Sequence, residues 1–259
     1  MTYEFLEYET AERIARITIN RPQRLNALHP PANEEMLRAF TAFRDDPDML
    51  VAIVTGTGDR AFSVGNDLRY TAEHGRRQPA ADRVSFGGIT SGFTCWKPII
   101  AAVNGYAMGG GLELALACDI IVAADHAQVA LPEVTVGLIA GAGGVHRLPR
   151  LIPPKIAMGM MLTGRRLSAQ EAHRFGLVNE VVPLADLMAT AEKWAHDIMK
   201  VAPLSARATK QMALTGLDWP LDIAFNLTYS EHQRAMTSDD WVEGPRAFSE
   251  KRKPNWTGA

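Results

Sequence analysis

Short apolar runs alternate with polar turns through most of the chain, whereas helical spacing dominates its last part. Runs of about four to eight apolar residues bounded by turn residues are typical of buried strands. Such runs occur at 14–19 (IARITI), 50–55 (LVAIVT), 99–103 (IIAAV), 120–124 (IIVAA) and 129–131 (VAL). From Leu184 onward the apolar positions follow helical spacing, with breaks near Pro203 and Pro220. The pattern predicts an α/β protein, with mixed strands and helices first and a helical section last.

Helix signals lie between the predicted strands. Pro30 and Pro31 are well placed to open a helix, because the first turn does not need the N–H that proline lacks. Apolar residues follow at helical spacing at Met36, Leu37, Phe40 and Phe43. Ser168 and Glu171 match a capping box, which predicts a second helix start. The polar, glycine-bearing segment at 70–91 predicts a mobile lid of helical or irregular structure.

Composition limits the partners of this protein. The 259 residues carry a net charge of −2, so no basic field attracts nucleic acid or an anionic membrane. The longest apolar run, 99–124, contains Asn104, Glu113 and Asp119, which a membrane span tolerates poorly. The acidic start MTYEFLEYETAER has no apolar core of a signal peptide, and two cysteines make no disulfide framework. We therefore expect a cytoplasmic protein without membrane or nucleic-acid partners.

Several familiar catalytic patterns are missing from the sequence. The stretch Ala61-Phe-Ser-Val-Gly65 fails the Gly-x-Ser-x-Gly pattern at its first position. The chain has no P-loop and no His-Glu-x-x-His pattern, and the glycines at 105 and 109–111 have the wrong spacing for dinucleotide binding. We therefore predict no metal site and no redox cofactor, and a Rossmann-type oxidoreductase is disfavoured.

The stretch NGYAMGGGLELAL at 104–116 carries three consecutive glycines and one carboxylate in an apolar setting. A strand there runs through a glycine turn into a helix, whose first N–H groups lack internal partners. Glycine allows a ligand atom to approach such a backbone closely. Side chains on a helix lean toward its N-terminus, so Glu113 should lie near the N–H of Gly110. On this stretch alone, Glu113 either performs acid/base chemistry or only interacts with its own helix dipole.

Two further segments favour acid/base chemistry for Glu113 over a simple interaction with its helix dipole. Leu131-Pro-Glu133 follows a predicted strand and precedes the glycine-rich GAGG at 141–144, which gives a second carboxylate in an apolar setting. Two such carboxylates suit general acid/base catalysis. The loop AFSVGND at 61–67 can present the backbone N–H of Asn66. Two N–H donors from separate loops would form an oxyanion hole.

These motifs together resemble the crotonase superfamily, the enoyl-CoA hydratases and isomerases. The resemblance runs from NRPQRLNAL at 20–28 through KPIIAAVNGYAMGGGLELALACD and LPEVTVGLIAGAGGVHRLPR to FSEKRKPNW at 248–256. It implies the ClpP/crotonase-like spiral of β-β-α units, with a helical C-terminal region that forms trimers or hexamers. It also implies a division into residues 1–200, with the catalytic and CoA sites, and residues 201–259.

The resemblance assigns roles to individual residues. Asn66 and Gly110 match the two oxyanion-hole donors, and Glu113 and Glu133 match the acid/base pair of true hydratases. The residues that match the coenzyme A site are Arg24, Leu25, Ala27, Ala61, Val64, Asp67, Leu68 and Lys251. Lys251 lies in the charged run KRK, so a solvated surface charge is an equal interpretation. By family analogy Glu113 activates water and Glu133 supplies the α-proton, although the sequence does not separate these roles.

The implied activity is reversible hydration of a trans-2-enoyl-CoA to a 3-hydroxyacyl-CoA, with no cofactor beyond the coenzyme A of the substrate. Asn66 departs from the alanine that is usual in simple hydratases, and its amide is expected to narrow or polarise the acyl pocket. The segments EGPRAFSEKRKPNW and GGVHRLPRLIPPKIAM are similar to carnitinyl-CoA dehydratases. A specialised dehydratase or isomerase is therefore the alternative, and a non-catalytic acyl-CoA binder is a third hypothesis.

Overall fold

The computed structural model describes residues 2–74 and 84–259, so the middle of the predicted lid lies outside the described residues. Internal contacts divide the chain into two compact units. The first unit comprises 1–94 and 99–192, and the second comprises 95–98 and 193–259. The functional division at residue 200 stays a prediction.

The strands belong to two sheets. In chain order they are β1 (Leu6–Ala11), β2 (Ile14–Ile19), β3 (Val51–Gly56), β4 (Ala61–Ser63), β5 (Ile99–Val103), β6 (Tyr106–Met108), β7 (Ile120–Ala124), β8 (Gln128–Ala130), β9 (Leu167–Ser168) and β10 (Glu180–Val182). The larger sheet has the order β1-β2-β3-β5-β7-β10, and the smaller has the order β4-β6-β8-β9. The larger sheet is parallel except for the β1–β2 pair, and β4, β6 and β8 are parallel to one another.

The helices follow the strands and fill the C-terminal part. They are α1 (Pro30–Asp45), α2 (Leu68–His74), α3 (Gly110–Leu116), α4 (Gly144–Leu151), α5 (Pro154–Thr163), α6 (Ala169–Arg174), α7 (Leu187–Met199), α8 (Pro203–Gly216), α9 (Leu221–Asn226), α10 (Ser230–Met236) and α11 (Asp239–Ser249). Within the described residues, no helix is both long and apolar enough to cross a bilayer.

A repeating strand–strand–helix unit builds the first compact unit. The pairs β3–β4, β5–β6 and β7–β8 each give their first strand to the larger sheet and their second to the smaller one. Because β4, β6 and β8 are parallel, the segments that follow them emerge at one edge of the smaller sheet. These segments are the ones that carry the candidate chemistry.

Most predicted elements are confirmed, and two differ. The strands at 14–19, 50–55, 99–103 and 120–124 and the capping box at Ser168 and Glu171 are present within a residue. The strand predicted at 129–131 begins one residue earlier, at Gln128. The glycine stretch that follows β5 is not a simple turn into a helix, because it contains β6. Strands of three residues are too short to produce a periodic signal.

Two buried asparagines hold the turn between β3 and β4. Nδ2 of Asn104 donates to the carbonyls of Gly56 (2.8 Å) and Gly58 (2.7 Å), and its Oδ1 accepts the Gly56 N–H. Nδ2 of Asn26 donates to the carbonyl of Ala61 (2.7 Å). A buried carbonyl left without a donor would cost about 1–3 kcal/mol, so these amides stabilise the turn. They thereby fix where β4 begins.

The second compact unit is helical. Leu204 and Ala208 of α8 and Ala235 of α10 form its buried core. The C-terminal tail returns to α11, where the carboxylate of Asp240 accepts the N–H groups of Thr257 (2.7 Å) and Gly258 (2.9 Å). Large apolar side chains remain more than 70% exposed at Leu217, Leu221 and Phe225. The trimerisation role of this region stays a prediction.

Candidate active site

Three segments meet at the carboxyl edge of the smaller sheet. Val64 to Asn66 follow β4, Gly109 and Gly110 follow β6, and Leu131 to Glu133 follow β8. In parallel sheets, this edge is where ligands commonly bind. The sheet order therefore brings together all four residues predicted to be catalytic: Asn66, Gly110, Glu113 and Glu133.

The N–H of Asn66 points away from Leu28, the residue with which Asn66 pairs in an isolated β-bridge. Leu28 donates to the carbonyl of Gly65 (2.8 Å) and accepts from the N–H of Asp67 (2.9 Å). Peptide groups alternate in direction along an extended segment, so the Asn66 N–H faces the opposite side. Among the described residues it has no acceptor, which leaves it available to a ligand.

The N–H of Gly110 lies next to this segment. Gly110 is the first residue of α3, where the N–H has no partner within the helix. A methyl group on Gly65 would lie 2.8 Å from the Gly110 nitrogen, so the two backbones approach closely. Gly65 has a φ of 88°, a conformation that other residues adopt with strain. Two N–H donors at neighbouring positions can receive an oxygen that gains negative charge.

Glu113 lies in the first turn of α3 and is only 3% exposed. Its Oε1 accepts the N–H of Gly144 at 2.8 Å, and the N–H of Ala142 also faces the carboxylate. Burial raises the pKa of Glu113 to about 7, and the charge of Glu133 adds to that rise. The two N–H groups and Arg147 oppose the rise. Glu113 can therefore gain or lose a proton near neutral pH.

Glu133 faces the same volume from the segment after β8. Its Oε1 lies against Gly109, where a methyl group would come within 2.8 Å of it. Its Oε2 is buried and has no hydrogen-bond partner in the described structure. Burial raises the pKa of Glu133, because the charged form loses its hydration. The two carboxylates thus share one site, as general acid/base chemistry requires.

Phe86 covers the start of α3, and no sequence motif indicated it. A methyl group on Gly110 would lie 2.6 Å from Cζ of Phe86, so the ring packs directly on the glycine backbone. The next residue, Gly87, donates its N–H to Oδ1 of Asn33 in α1 (2.8 Å). Phe86 therefore packs beside the candidate oxyanion hole, and the Gly87–Asn33 hydrogen bond ties its segment to α1.

The residues predicted to bind coenzyme A form two hydrogen-bonded segments. Val64 donates its N–H to the carbonyl of Leu25 (3.2 Å), which joins the 24–28 loop to the segment after β4. Arg24 and Leu68 are exposed on this surface, whereas Ala27 and Ala61 are buried. The structure brings these residues together, and their contact with coenzyme A stays a prediction.

Asp67 lies in this group, but its carboxylate already has partners. It forms a buried ion pair with Arg21 (3.0 Å) and accepts the N–H of Tyr70 at the start of α2 (3.2 Å). Burial alone would raise the pKa of Asp67, but these two donors lower it overall. Asp67 therefore anchors the loop that presents Asn66, and a direct contact between its carboxylate and coenzyme A stays a prediction.

Two further predicted features concern Asn66 and Lys251. The amide of Asn66 donates to Oγ1 of Thr71 at 2.9 Å, so this hydrogen bond directs it toward α2. Lys251 belongs to the second compact unit, is exposed, and has a left-handed φ of 55° just after α11. Within residues 2–74 and 84–259, no group of His, Cys, Asp or Glu side chains is arranged to hold a metal ion.

The raised pKa of Glu113 predicts a pH-dependent stability. Native Glu113 keeps its proton up to about pH 7, whereas an unfolded glutamate loses it near 4.5. Unfolding therefore releases a proton between these values, and the free energy of unfolding falls as pH rises through this window. Relative to Glu113→Gln, the wild type should lose about 2–3 kcal/mol between about pH 5 and about pH 8.

Urea unfolding of both proteins at the two pH values, at constant protein concentration, measures this difference. The concentration is held constant because assembly changes the apparent stability. A constant difference between wild type and variant across this range would contradict a carboxyl group that titrates near neutrality.

Comparisons with known proteins agree with this geometry. The family described as enoyl-CoA hydratase/isomerase matches residues 9–259. A carnitinyl-CoA dehydratase from Escherichia coli K12 is 45% identical over 251 residues, which cover 95% of each protein. Enoyl-CoA hydratase structures from Mycobacterium marinum and Mycobacterium tuberculosis H37Rv match with TM-scores of 0.91 and 0.89, at 39% and 38% identity. These matches cover 98% of this chain and 99% of each neighbour. They confirm the crotonase fold, and the chain belongs to the enoyl-CoA hydratase/isomerase family.

Proposed function

We propose that this protein catalyses the reversible hydration of a trans-2-enoyl-CoA to a 3-hydroxyacyl-CoA. The observation that carries the proposal is the convergence of two free N–H donors and two buried carboxylates at one sheet edge. Isomerases need to move only a proton, whereas hydration needs one group for water and one for the α-carbon. The retained glutamate pair, Glu113 and Glu133, therefore favours hydration.

The environments of the two glutamates support separate roles. Glu113 accepts N–H groups from Gly144 and Ala142, and such donors favour the ionised form. Burial raises the pKa of Glu133, and its own backbone N–H opposes that rise, whereas its Oε2 has no donor among the described residues. Because the pKa of Glu113 is raised to about 7, part of the protein carries this carboxylate ionised at neutral pH. In the hydration direction, ionised Glu113 is the base that takes a proton from water, and protonated Glu133 is the acid.

The reaction balances with these groups alone. The water oxygen forms a bond to the β-carbon, and the water O–H bond breaks as its proton passes to Glu113. The electrons of the carbon–carbon double bond move to the thioester oxygen, where the N–H groups of Asn66 and Gly110 stabilise the enolate. Glu133 then delivers its proton to the α-carbon. Exchange with solvent then removes the proton from Glu113 and returns one to Glu133 before the next turnover.

A second candidate is dehydration or hydration of a specialised acyl-CoA. The relative from Escherichia coli K12 is a carnitinyl-CoA dehydratase at 45% identity. Dehydration of a 3-hydroxyacyl-CoA is the reverse of the proposed step, so the same four groups serve it. The two candidates differ only in the acyl group that the pocket accepts.

We also propose the assembly and location that the family resemblance implies. The exposed Leu217, Leu221 and Phe225 support burial of the second unit in a homotrimer, or in a hexamer of two trimers. Acyl-CoA is the proposed partner, and no cofactor beyond the substrate is proposed. A cytoplasmic location is proposed with them.

Turnover of a matched substrate pair tests the proposal. We expect the purified protein to remove the enoyl absorbance of crotonyl-CoA with a kcat/KM of about 10⁴ M⁻¹s⁻¹ or more. If kcat/KM were about tenfold or more higher for crotonobetainyl-CoA than for crotonyl-CoA, the specialised reaction would be the function. Thermal stabilisation by both acyl-CoAs without turnover of either would contradict the proposal, since it would indicate a non-catalytic binder.

A further inference from the structure

The donors that face Glu113 belong to a turn outside regular secondary structure. Ala142 and Gly143 lie in this turn, and Gly144 is the first residue of α4. Gly143 has a φ of 108°, so this backbone has little preference of its own for the observed conformation. The N–H groups therefore point toward Glu113 only if other contacts hold the turn in this conformation.

Arg147 supplies these contacts from the first turns of α4. Its Nη2 donates to the carbonyl of Thr90 at 2.9 Å, and its Nη1 donates to the carbonyl of Ala142 at 3.4 Å. The same Nη1 occupies the space that a Cβ on Gly143 would need. One guanidinium thus joins the segment after Phe86 to the turn that binds Glu113, and glycine at 143 leaves room for it.

Arg147 also places a positive charge near the carboxylate of Glu113. The charged and titratable groups facing Glu113 are Glu133, from the segment after β8, and Arg147, from α4; Cys118 in turn faces Arg147. Burial lowers the pKa of Arg147, yet a guanidinium stays protonated in proteins. Arg147 is therefore the positive charge that opposes the effects of burial and of Glu133 on Glu113.

We infer that Arg147 is a positioning residue, which holds the 142–144 turn so that its N–H groups face the carboxylate of Glu113. It does not reach the reacting atoms; it acts through Ala142, Gly144 and Glu113. The kinetic consequence of this inference rests on the proposed function, whereas its effect on the titration of Glu113 does not.

Infrared titration measures the effect directly. The carboxylic C=O band of protonated Glu113 is identified as the band that Glu113→Gln removes from the wild-type spectrum. In Arg147→Gln the titration midpoint of this band should rise by about one pH unit, because an opposite charge and the N–H alignment are both lost. Arg147→Lys keeps the charge but not the two-carbonyl bridge, so its midpoint should rise by less.

Arg150→Gln is the matched control. Arg150 lies on the same helix, is exposed, and donates to the carbonyl of His146 within that helix. Its removal should leave the Glu113 midpoint unchanged. An unchanged midpoint in folded Arg147→Gln would overturn the inference; if that variant did not fold, an unchanged midpoint in Arg147→Lys would overturn it equally.

The pH–rate profile gives a second measurement that a purely structural role would not move. In Arg147→Gln the acid limb of kcat for hydration should shift to higher pH by the same amount as the infrared midpoint, with KM changed less than kcat. A lower kcat with an unshifted acid limb would overturn the inference. Because the infrared titration needs no turnover, absence of hydratase activity in the wild type would refute only the proposed function.

Discussion

The Glu113→Gln variant should hydrate crotonyl-CoA about 10²–10⁴-fold more slowly than the wild type, with KM changed little. The amide oxygen can still accept the Gly144 N–H, which the carboxylate accepts at 2.8 Å, so the α3–α4 contact is kept. What is lost is the ability to take a proton from water. Steady-state rates by loss of the enoyl absorbance measure this effect.

Glu133→Gln should lower kcat by a similar factor, because the amide cannot deliver a proton to the α-carbon. The double variant should be little slower than either single variant, since the two groups act in one step and their effects do not add. Glu34→Gln, at an exposed position of α1, is the matched control and should retain wild-type activity. Wild-type rates in both single variants would refute the acid/base assignment.

The Gly110→Pro variant should have a kcat about 10²–10³-fold below that of Gly110→Ala. Proline removes the backbone N–H that is proposed to bind the enolate oxygen, and it is tolerated at the first position of a helix. The comparison is with alanine because any Cβ at this position must displace the ring of Phe86, which lies 2.6 Å away. The ratio of the two variants therefore cancels the clash between the added Cβ and Phe86. What remains is the replacement of the N–H hydrogen by the proline Cδ, which removes the donor and blocks its position.

Two measurements decide how the kcat values of Gly110→Pro and Gly110→Ala are interpreted. Circular dichroism and thermal unfolding should give similar folded fractions for Gly110→Pro and Gly110→Ala, since both place a Cβ against Phe86 and proline is tolerated at the first helical position. Equal kcat values in the two folded variants would show that the Gly110 N–H does not stabilise the transition state, and Asn66 would then need a different partner.

The sequence indicated the two candidate acid/base residues because each carries an unusual local pattern. Glu113 stands out as a carboxylate beside three glycines, and Glu133 as a carboxylate between an apolar strand and GAGG. Strands such as β5 and β7 were predictable for the same reason, since burial on both faces gives continuous apolar runs. The motifs of the whole chain together also predicted the family and the fold.

Arg147 and Phe86 left no such pattern. Arg147 is one of several arginines in a polar helix segment, and Phe86 is an isolated aromatic beside glycines. Each acts on residues distant in the chain: Arg147 joins Thr90 to Ala142, and Phe86 covers Gly110. Asp67 was predicted to bind coenzyme A, and only the structure placed Arg21 against its carboxylate.

The sequence by itself determined the long buried strands and the main helix starts, and which residue types are available for proton transfer, because both depend on local pattern and side-chain chemistry. The tertiary structure alone decided that the charge of Glu133 acts on buried Glu113 and that burial raises the pKa of Glu113 to about 7. The physical reason is that proximity and burial depend on the parallel order of β4, β6 and β8, which brings three separate loops to one edge. A pKa depends on that surrounding dielectric and charge rather than on the residue alone.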